Sequence, residues 1–318
     1  MAAAAGEAMP ASLAAPTLAT IAPTMHAGRV EVEPGAAIEM RFFSPPEGVD
    51  AGFAVLIGGA MGVRQGFYRP FAEWLAAQGA AVATFDYRGT GDSREPRFAT
   101  TLRGFDADLY SWARDFDAAI DALVARAPGR PLYVVGHSLG AQLPGMLRHR
   151  DRIAGLVGVA TGSGYWRDNA PPLKRTVLYF WHALVPLATG LFGYFPGARL
   201  RKVGDLPRGV ILQWRRWCMN PRYHVGAEGE ALRTQFESVR FPVVALSMTD
   251  DEMMTERGTR VLVDCYANAP RRVERIAPAD VQARRIGHFG FFRTAFEPTL
   301  WARSLALLRA FDPAKEMA

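Results

Sequence analysis

Ser138, the neighbouring aspartates Asp250 and Asp251, and His288 are residue types that together can break an acyl bond. A serine hydroxyl at neutral pH is a weak nucleophile. It needs a base within hydrogen-bond reach, and the base needs a third group to orient it. Ser138 stands in Gly136-His137-Ser138-Leu139-Gly140, directly after the β-forming run Leu132-Tyr133-Val134-Val135. A strand that runs into Gly-x-Ser-x-Gly and then into helix-tolerant sequence is the setting of a nucleophile elbow, where the serine is held on a strained turn. Gly136 and Gly140 let strand and helix approach more closely than larger side chains allow. A plain surface turn would also account for these five residues, but it leaves the rest of the chain unexplained.

Six histidines compete for the role of base. His26 falls in the N-terminal tail, His137 inside the elbow, His149 at a helix end, and His182 and His224 in an aromatic-rich insertion. Only His288 lies in a glycine-bearing loop between the last strand and the last helix. The acid is expected just after the strand Val243–Ser247, in Met248-Thr249-Asp250-Asp251-Glu252. Strand length favours Asp251, with Asp250 as the alternative, and the other carboxylate then caps the following turn or faces solvent. No His or Asp cluster elsewhere matches this pair, so no metal site is expected. Two N–H groups should receive the developing oxyanion: that of Leu139, and one from the loop Gly58-Gly59-Ala60-Met61-Gly62. Ala60 is expected there, with Met61 as the fallback. Asp86 and Asp92, in Asp-x-Arg-Gly-x-Gly, read as turn chemistry.

These residues need a framework. Gly28–Glu33 and Ile38–Phe43 alternate as two antiparallel opening strands. Phe53–Ile57, Ala81–Phe85, Ile153–Ala160 and Pro242–Ser247 are continuous apolar runs of the kind that parallel, doubly covered strands require. Between them lie helical patterns over Tyr68–Gln78, Phe105–Arg126, Arg257–Ala267 and Glu297–Phe311, with a last strand over Arg272–Ile276. Pro144-Gly145 falls in the first turns after the elbow, so the helix there should be kinked or start late. The alternation predicts an α/β fold with a mostly parallel twisted sheet, helices on both faces, and an insertion.

At 318 residues the chain can hold one large α/β domain with such an insertion. Its parts read as a disordered tail over 1–27, a core over 28–163, an inserted helical cap over 164–238, and the rest of the core over 239–318. The cap interrupts the strand–helix pattern with many aromatics, Phe180 and Trp181 among them. Its stretch Thr176–Phe195 is apolar enough to raise a membrane span. A single span there would put the flanking strands on opposite sides of a bilayer, and Pro186, Gly190 and Gly193 interrupt it. Two or so cap helices are expected, with membrane contact at most interfacial. The net charge of +6 comes mainly from arginine, without a basic stripe or motif that would point to nucleic acid. Residues 1–24 lack the basic n-region and apolar core of a secretory signal, and Cys218 and Cys265 are in no metal or redox spacing. A cytoplasmic protein is expected.

Taken together, Gly58-Gly59-Ala60, Asp86-Tyr87-Arg88-Gly89-Thr90-Gly91, Gly136-His137-Ser138-Leu139-Gly140, Asp251 and Gly287-His288 resemble the α/β-hydrolase superfamily. The likeness is to its serine-hydrolase branch of monoacylglycerol-lipase-like and serine aminopeptidase-like (S33) proteins. Gly287–Arg293 and the Trp-rich cap are similar to a bacterial subgroup of predicted hydrolases. The resemblance covers roughly 28–163 and 239–318, and it implies the chain order serine, acid, histidine found here. Many relatives have His-Gly where this chain has Gly58-Gly59, and a further glycine where it has Ala141. The resemblance implies a cofactor-free serine hydrolase acting on a small acyl substrate, a carboxylesterase or lipase-like enzyme. The apolar cap, inserted above the C-terminal ends of the strands, is expected to wall the acyl pocket, with Met61, Phe180 and Trp181 at it. An acyltransferase or a serine aminopeptidase would use the same residues, and a non-catalytic binding module is the remaining alternative. Acyl chain, leaving group and oligomeric state are not legible.

Overall fold

The apolar runs read from the sequence become the central strands of one sheet in the computed structural model, which describes residues 22–311. Its strands are β1 (Thr24–Glu33), β2 (Ala36–Ser44), β3 (Ala54–Gly58), β4 (Ala81–Phe85), β5 (Leu132–His137), β6 (Ile153–Val159), β7 (Val243–Met248) and β8 (Arg271–Ile276). They lie in the order β1-β2-β4-β3-β5-β6-β7-β8. β1–β2 and β2–β4 pair antiparallel and every other pair is parallel. Every residue of β3, β5 and β7 is buried, because helices cover both faces.

One face carries α2 (Leu109–Arg126), which inserts Trp112, Phe116 and Ile120 against β3 and β4 side chains. The other carries α1 (Arg69–Ala77) and, at the end of the chain, α10 (Ala302–Ala310), where Phe71 packs edge-on to Trp301 at 5.3 Å. The helix expected from Phe105 starts instead at Leu109. The Asp108 side chain accepts the Ser111 N–H at 2.7 Å and fixes the N-terminus there. After the elbow there is no long helix. Two 3₁₀ turns, Ser138–Ala141 and Pro144–Met146, take its place. Proline at 144 lacks the N–H that a helix would need.

Between β6 and β7 the chain forms α3 (Pro171–Lys174), α4 (Val177–Tyr179), α5 (Val185–Phe192), α6 (Arg208–Met219), α7 (Tyr223–Ala227) and α8 (Glu230–Glu237). A π-turn, Phe180–Leu184, joins α4 to α5 in one rod. This is more helix than the two or so expected, since short helices separated by Pro and Gly leave weak periodic signals. β6 and β7 nevertheless remain hydrogen-bonded neighbours, Leu156 opposite Val243. α9 (Glu256–Val263) then leads to β8. The tail expected over 1–27 lies, for 1–21, outside the described residues. Thr24–Ala27 already belongs to β1, which places His26 in a strand.

Candidate active site

The turn after β5 holds Ser138 at φ +50°, left-handed backbone that costs an L-residue on the order of 1–2 kcal/mol. Two close approaches hold it there. A Cβ on Gly140 would lie 2.1 Å from the Gly58 carbonyl oxygen, and one on Gly136 would lie 2.5 Å from the Ala141 nitrogen. Glycine is therefore needed at both positions, and the first contact presses the end of β3 against the elbow. Thr161 Oγ1 donates to the Ser138 carbonyl at 2.8 Å from the loop after β6.

His288 reaches the elbow from the other side. His137, the residue before the serine, donates from Nε2 to the His288 carbonyl oxygen at 3.0 Å, and the two rings are 5.3 Å apart. His288 Nδ1 faces both oxygens of Asp251, at 2.9 Å and 3.1 Å. Both side chains are almost fully buried. Asp251 Oδ1 also accepts the N–H groups of Met253 and Met254 at 2.8 Å and 2.9 Å, which fixes the carboxylate before it meets the histidine. Asp250 holds the backbone of the histidine turn, accepting from the N–H groups of Ile286 (2.9 Å) and Gly287 (3.1 Å). Glu252 accepts the His288 N–H at 3.1 Å and pairs with Arg285 at 3.2 Å. Burial works against the charge of Glu252, but backbone donors, the His288 N–H among them, and Arg285 outweigh it and hold its carboxyl below the usual value.

The loop after β3 differs from expectation at one atom. The Ala60 N–H donates to Tyr68 Oη at 2.8 Å, so it is already committed. Among the described residues, the N–H groups of Met61 and Leu139 donate to no other protein group. The Ala60 N–H is thus engaged within the protein, while that of Met61, the fallback, is not. The sequence could not show this, because it depends on a tyrosine eight positions on folding back. Tyr68 Oη also lies 2.9 Å from His137 Nδ1. Burial raises the Tyr68 pKa far above the phenol value and lowers that of His137 well below the imidazole value, so both stay neutral. Tyr68, His137 and Glu252 are residues around the turn for which sequence reasoning gave no role. Only the position of His137 inside the elbow could have signalled one. Asp250, read from the sequence as the alternative acid or a cap of the following turn, holds the histidine turn instead.

The inserted helices touch this site at two points. A Cβ on Gly62 would lie 2.6 Å from the Gly204 nitrogen, so the segment before α6 rests on the loop after β3. Tyr223 Oη donates at 2.8 Å to Gln142 Oε1, just after the elbow. Ser138 keeps only 8% of its surface exposed. Trp181 is buried edge-on to Trp214 at 5.0 Å, with its Nε1 unpaired, and Phe180 is half-buried 5.5 Å from the Phe195 ring. Asp86 accepts the N–H groups of Gln65 (2.7 Å) and Asp92 (2.8 Å), the turn chemistry read for it. Among the described residues no group of His, Cys, Asp and Glu side chains could hold a metal ion.

Residues 53–200 match the family described as serine aminopeptidase, S33. Solved structures similar to this chain include a soluble variant of monoglyceride lipase from Saccharomyces cerevisiae, in complex with a substrate analogue. It is 17% identical with a TM-score of 0.65, over 93% of this chain and 97% of that one. A cold-adapted esterase from an Arctic intertidal metagenomic library is 17% identical with a TM-score of 0.54, over 91% and 94%. The N-acyl homoserine lactone degrading enzyme Est816 is 20% identical with a TM-score of 0.54, over 89% and 100%. No curated protein matches the sequence. At these identities the structural likeness is one of fold.

Proposed function

The chain is an α/β-hydrolase in fold, and on that premise we propose that it is a serine hydrolase cleaving a small, apolar acyl ester. Ser138 attacks the acyl carbon while His288 takes its proton. The negative charge on the carbonyl oxygen is received by the N–H groups of Leu139 and Met61. The imidazolium is stabilised by Asp251, and His288 returns the proton to the leaving alcohol. Water then repeats the sequence on the acyl-enzyme. The observation that carries this reading is the pairing of His288 Nδ1 with both Asp251 oxygens, in a turn tied through His137 to the strained Ser138.

We assign 28–163 and 239–318 to the catalytic core and 164–238 to a cap over Ser138, supported by the contacts of Gly204 and Tyr223 with its surroundings. Substrate enters between cap and core, with Met61, Phe180 and Trp181 assigned to the acyl wall. The two free thiols, one of them fully buried, fit a reducing cytoplasm.

The aminopeptidase reading needs an acidic group free to hold a substrate amine. Asp168 is paired with Arg257 at 2.9 Å, Asp205 with Arg94 at 3.1 Å, Glu228 with Gln213 at 2.9 Å and with Arg216, and Glu230 with Arg233. Each is already engaged, which favours the ester.

The test is a panel of p-nitrophenyl esters of rising chain length beside aminoacyl-nitroanilides, with Ser138→Ala as control. Ester turnover that Ser138→Ala abolishes, together with its fluorophosphonate labelling, is expected. Turnover of the anilides alone, or labelling that survives in the folded variant, overturns the proposal.

A further inference from the structure

Tyr179, Leu187 and Leu191 are 67%, 72% and 65% exposed, the highest values among the exposed large apolar side chains of the described residues. All three lie on one face of the α4–α5 rod. Ala183 and Pro186 lie exposed between them. The rod is seated by its opposite side, where Val177, Trp181, Val185 and Ala188 are buried. A surface helix that is apolar on both sides leaves one face without the polar residues that water would require.

The charged residues of this stretch have a single sign, and the flanking acids Asp168 and Asp205 are paired with Arg257 and Arg94. Residues 169–204 contain Lys174, Arg175, Arg199, Arg201 and Lys202 and no acidic residue. Lys174 and Arg175 are exposed just ahead of the rod. At its far end the Arg199 guanidinium lies 5.6 Å over the Phe192 ring, and Arg103 donates to the Leu191 carbonyl at 2.6 Å. The face is therefore an apolar strip with cationic ends.

We propose that this face docks on the surface of an anionic lipid bilayer. The apolar strip enters the boundary between headgroups and acyl chains, and the basic ends meet lipid phosphates. Two alternatives fit less well. No helix among the described residues is long and apolar enough to cross a membrane, so the rod lies in the interface plane. A second copy of this chain would have to bring two sets of cationic ends together. Docking goes beyond the catalytic reading and does not rest on it, since no step involves Ser138.

The test is co-sedimentation of the full chain with sucrose-loaded vesicles of phosphatidylcholine, alone or mixed with phosphatidylglycerol. Binding to the mixed vesicles is expected to exceed that to phosphatidylcholine by roughly tenfold at low salt and to weaken as salt screens it. Leu187→Asp/Leu191→Asp should lower binding by at least roughly tenfold, at unchanged melting temperature. Lys174→Gln/Arg175→Gln should remove much of the preference for anionic vesicles. Ser138→Ala should bind like wild type, whatever its activity. Failure of the wild type to bind mixed vesicles overturns the proposal, and so does wild-type binding by the Asp variant. A concentration-dependent dimer that the Asp variant abolishes, without vesicle binding, would assign the face to a second copy and overturn it too.

Discussion

The hydroxyl of Tyr68 lies 2.9 Å from Nδ1 of His137 and joins the two loops that flank Ser138. Its oxygen accepts the Ala60 N–H, so its hydrogen goes to His137 Nδ1. His137 therefore carries its proton on Nε2, the nitrogen that meets the His288 carbonyl. Tyr68→Phe removes the joint and leaves the Ala60 N–H and His137 Nδ1 buried without partners, at about 1–3 kcal/mol. We expect the variant to fold with a lower melting temperature. Its kcat should fall about ten- to a hundredfold through misplaced groups, with KM little changed. Wild-type kcat in a destabilised variant would make Tyr68 a packing residue only.

Neighbouring carboxylates should separate by kinetics. Asp251→Asn replaces the group that faces His288 Nδ1 and should cost several orders of magnitude in kcat. Asp250 instead accepts two backbone N–H groups, and Asn at 250 keeps one acceptor while turning an NH₂ toward the other. Its loss should be far milder and accompanied by lower stability. Steady-state kinetics beside thermal melts check this, and equal mild losses in both would place the acid elsewhere.

Two glycines to alanine should move in opposite directions. At Gly140 the new methyl meets a backbone oxygen at 2.1 Å, and neither β3 nor the elbow can yield cheaply. We expect about 3 kcal/mol of destabilisation, and loss of activity. At Gly190, inside α5, nothing lies within 4 Å of the new methyl. That change should stabilise by about 0.5–1 kcal/mol. Denaturant melts of both variants give the answer.

Acid should act through His224, which is fully buried with both ring nitrogens unpaired and its ring 4.4 Å from that of Phe236. Burial pushes its pKa down to about 3. The folded value lies below the unfolded one, so its contribution is fully present above about pH 6.5 and is lost as pH falls toward the folded value. At pH 5 the loss is about 2 kcal/mol. His224→Phe keeps an aromatic ring and removes the titration. Between pH 7 and pH 5 the variant should lose about 2 kcal/mol less than wild type, measured by urea unfolding. Parallel losses in the two proteins would exclude His224 as the titrating group.

What could be read in advance divides along one physical line. The elbow was legible because its requirements fall within five residues: Gly136 and Gly140 answer to atoms a few positions away or on the adjoining strand. The buried parallel strands were legible because an apolar run of that length admits few other uses. The pairing of His288 with Asp251 could be anticipated from the strand that precedes the acid and the loop that holds the histidine. The engagement of the Ala60 N–H by Tyr68 was not legible, because no local pattern reports a tyrosine folding back over a turn. The service of Asp250 and Glu252 to the histidine turn was hidden for the same reason. It spans β8, whose residues say nothing about which carboxylate faces which N–H.

β6 and β7 lie side by side in the sheet, yet residues 160–242 separate them in sequence. Ser138 belongs to the first stretch of chain, while Asp251 and His288 belong to the last. On the proposed mechanism, Ser138 therefore gains its partners during synthesis only once nearly the whole polypeptide has emerged and β7 has docked. A nascent or truncated chain ending before β7 should then carry Ser138 as an inert side chain. If the connecting helices were cut, the two fragments would still share the β6–β7 ladder, so activity should depend on whether the halves reassociate and not on whether the backbone is continuous.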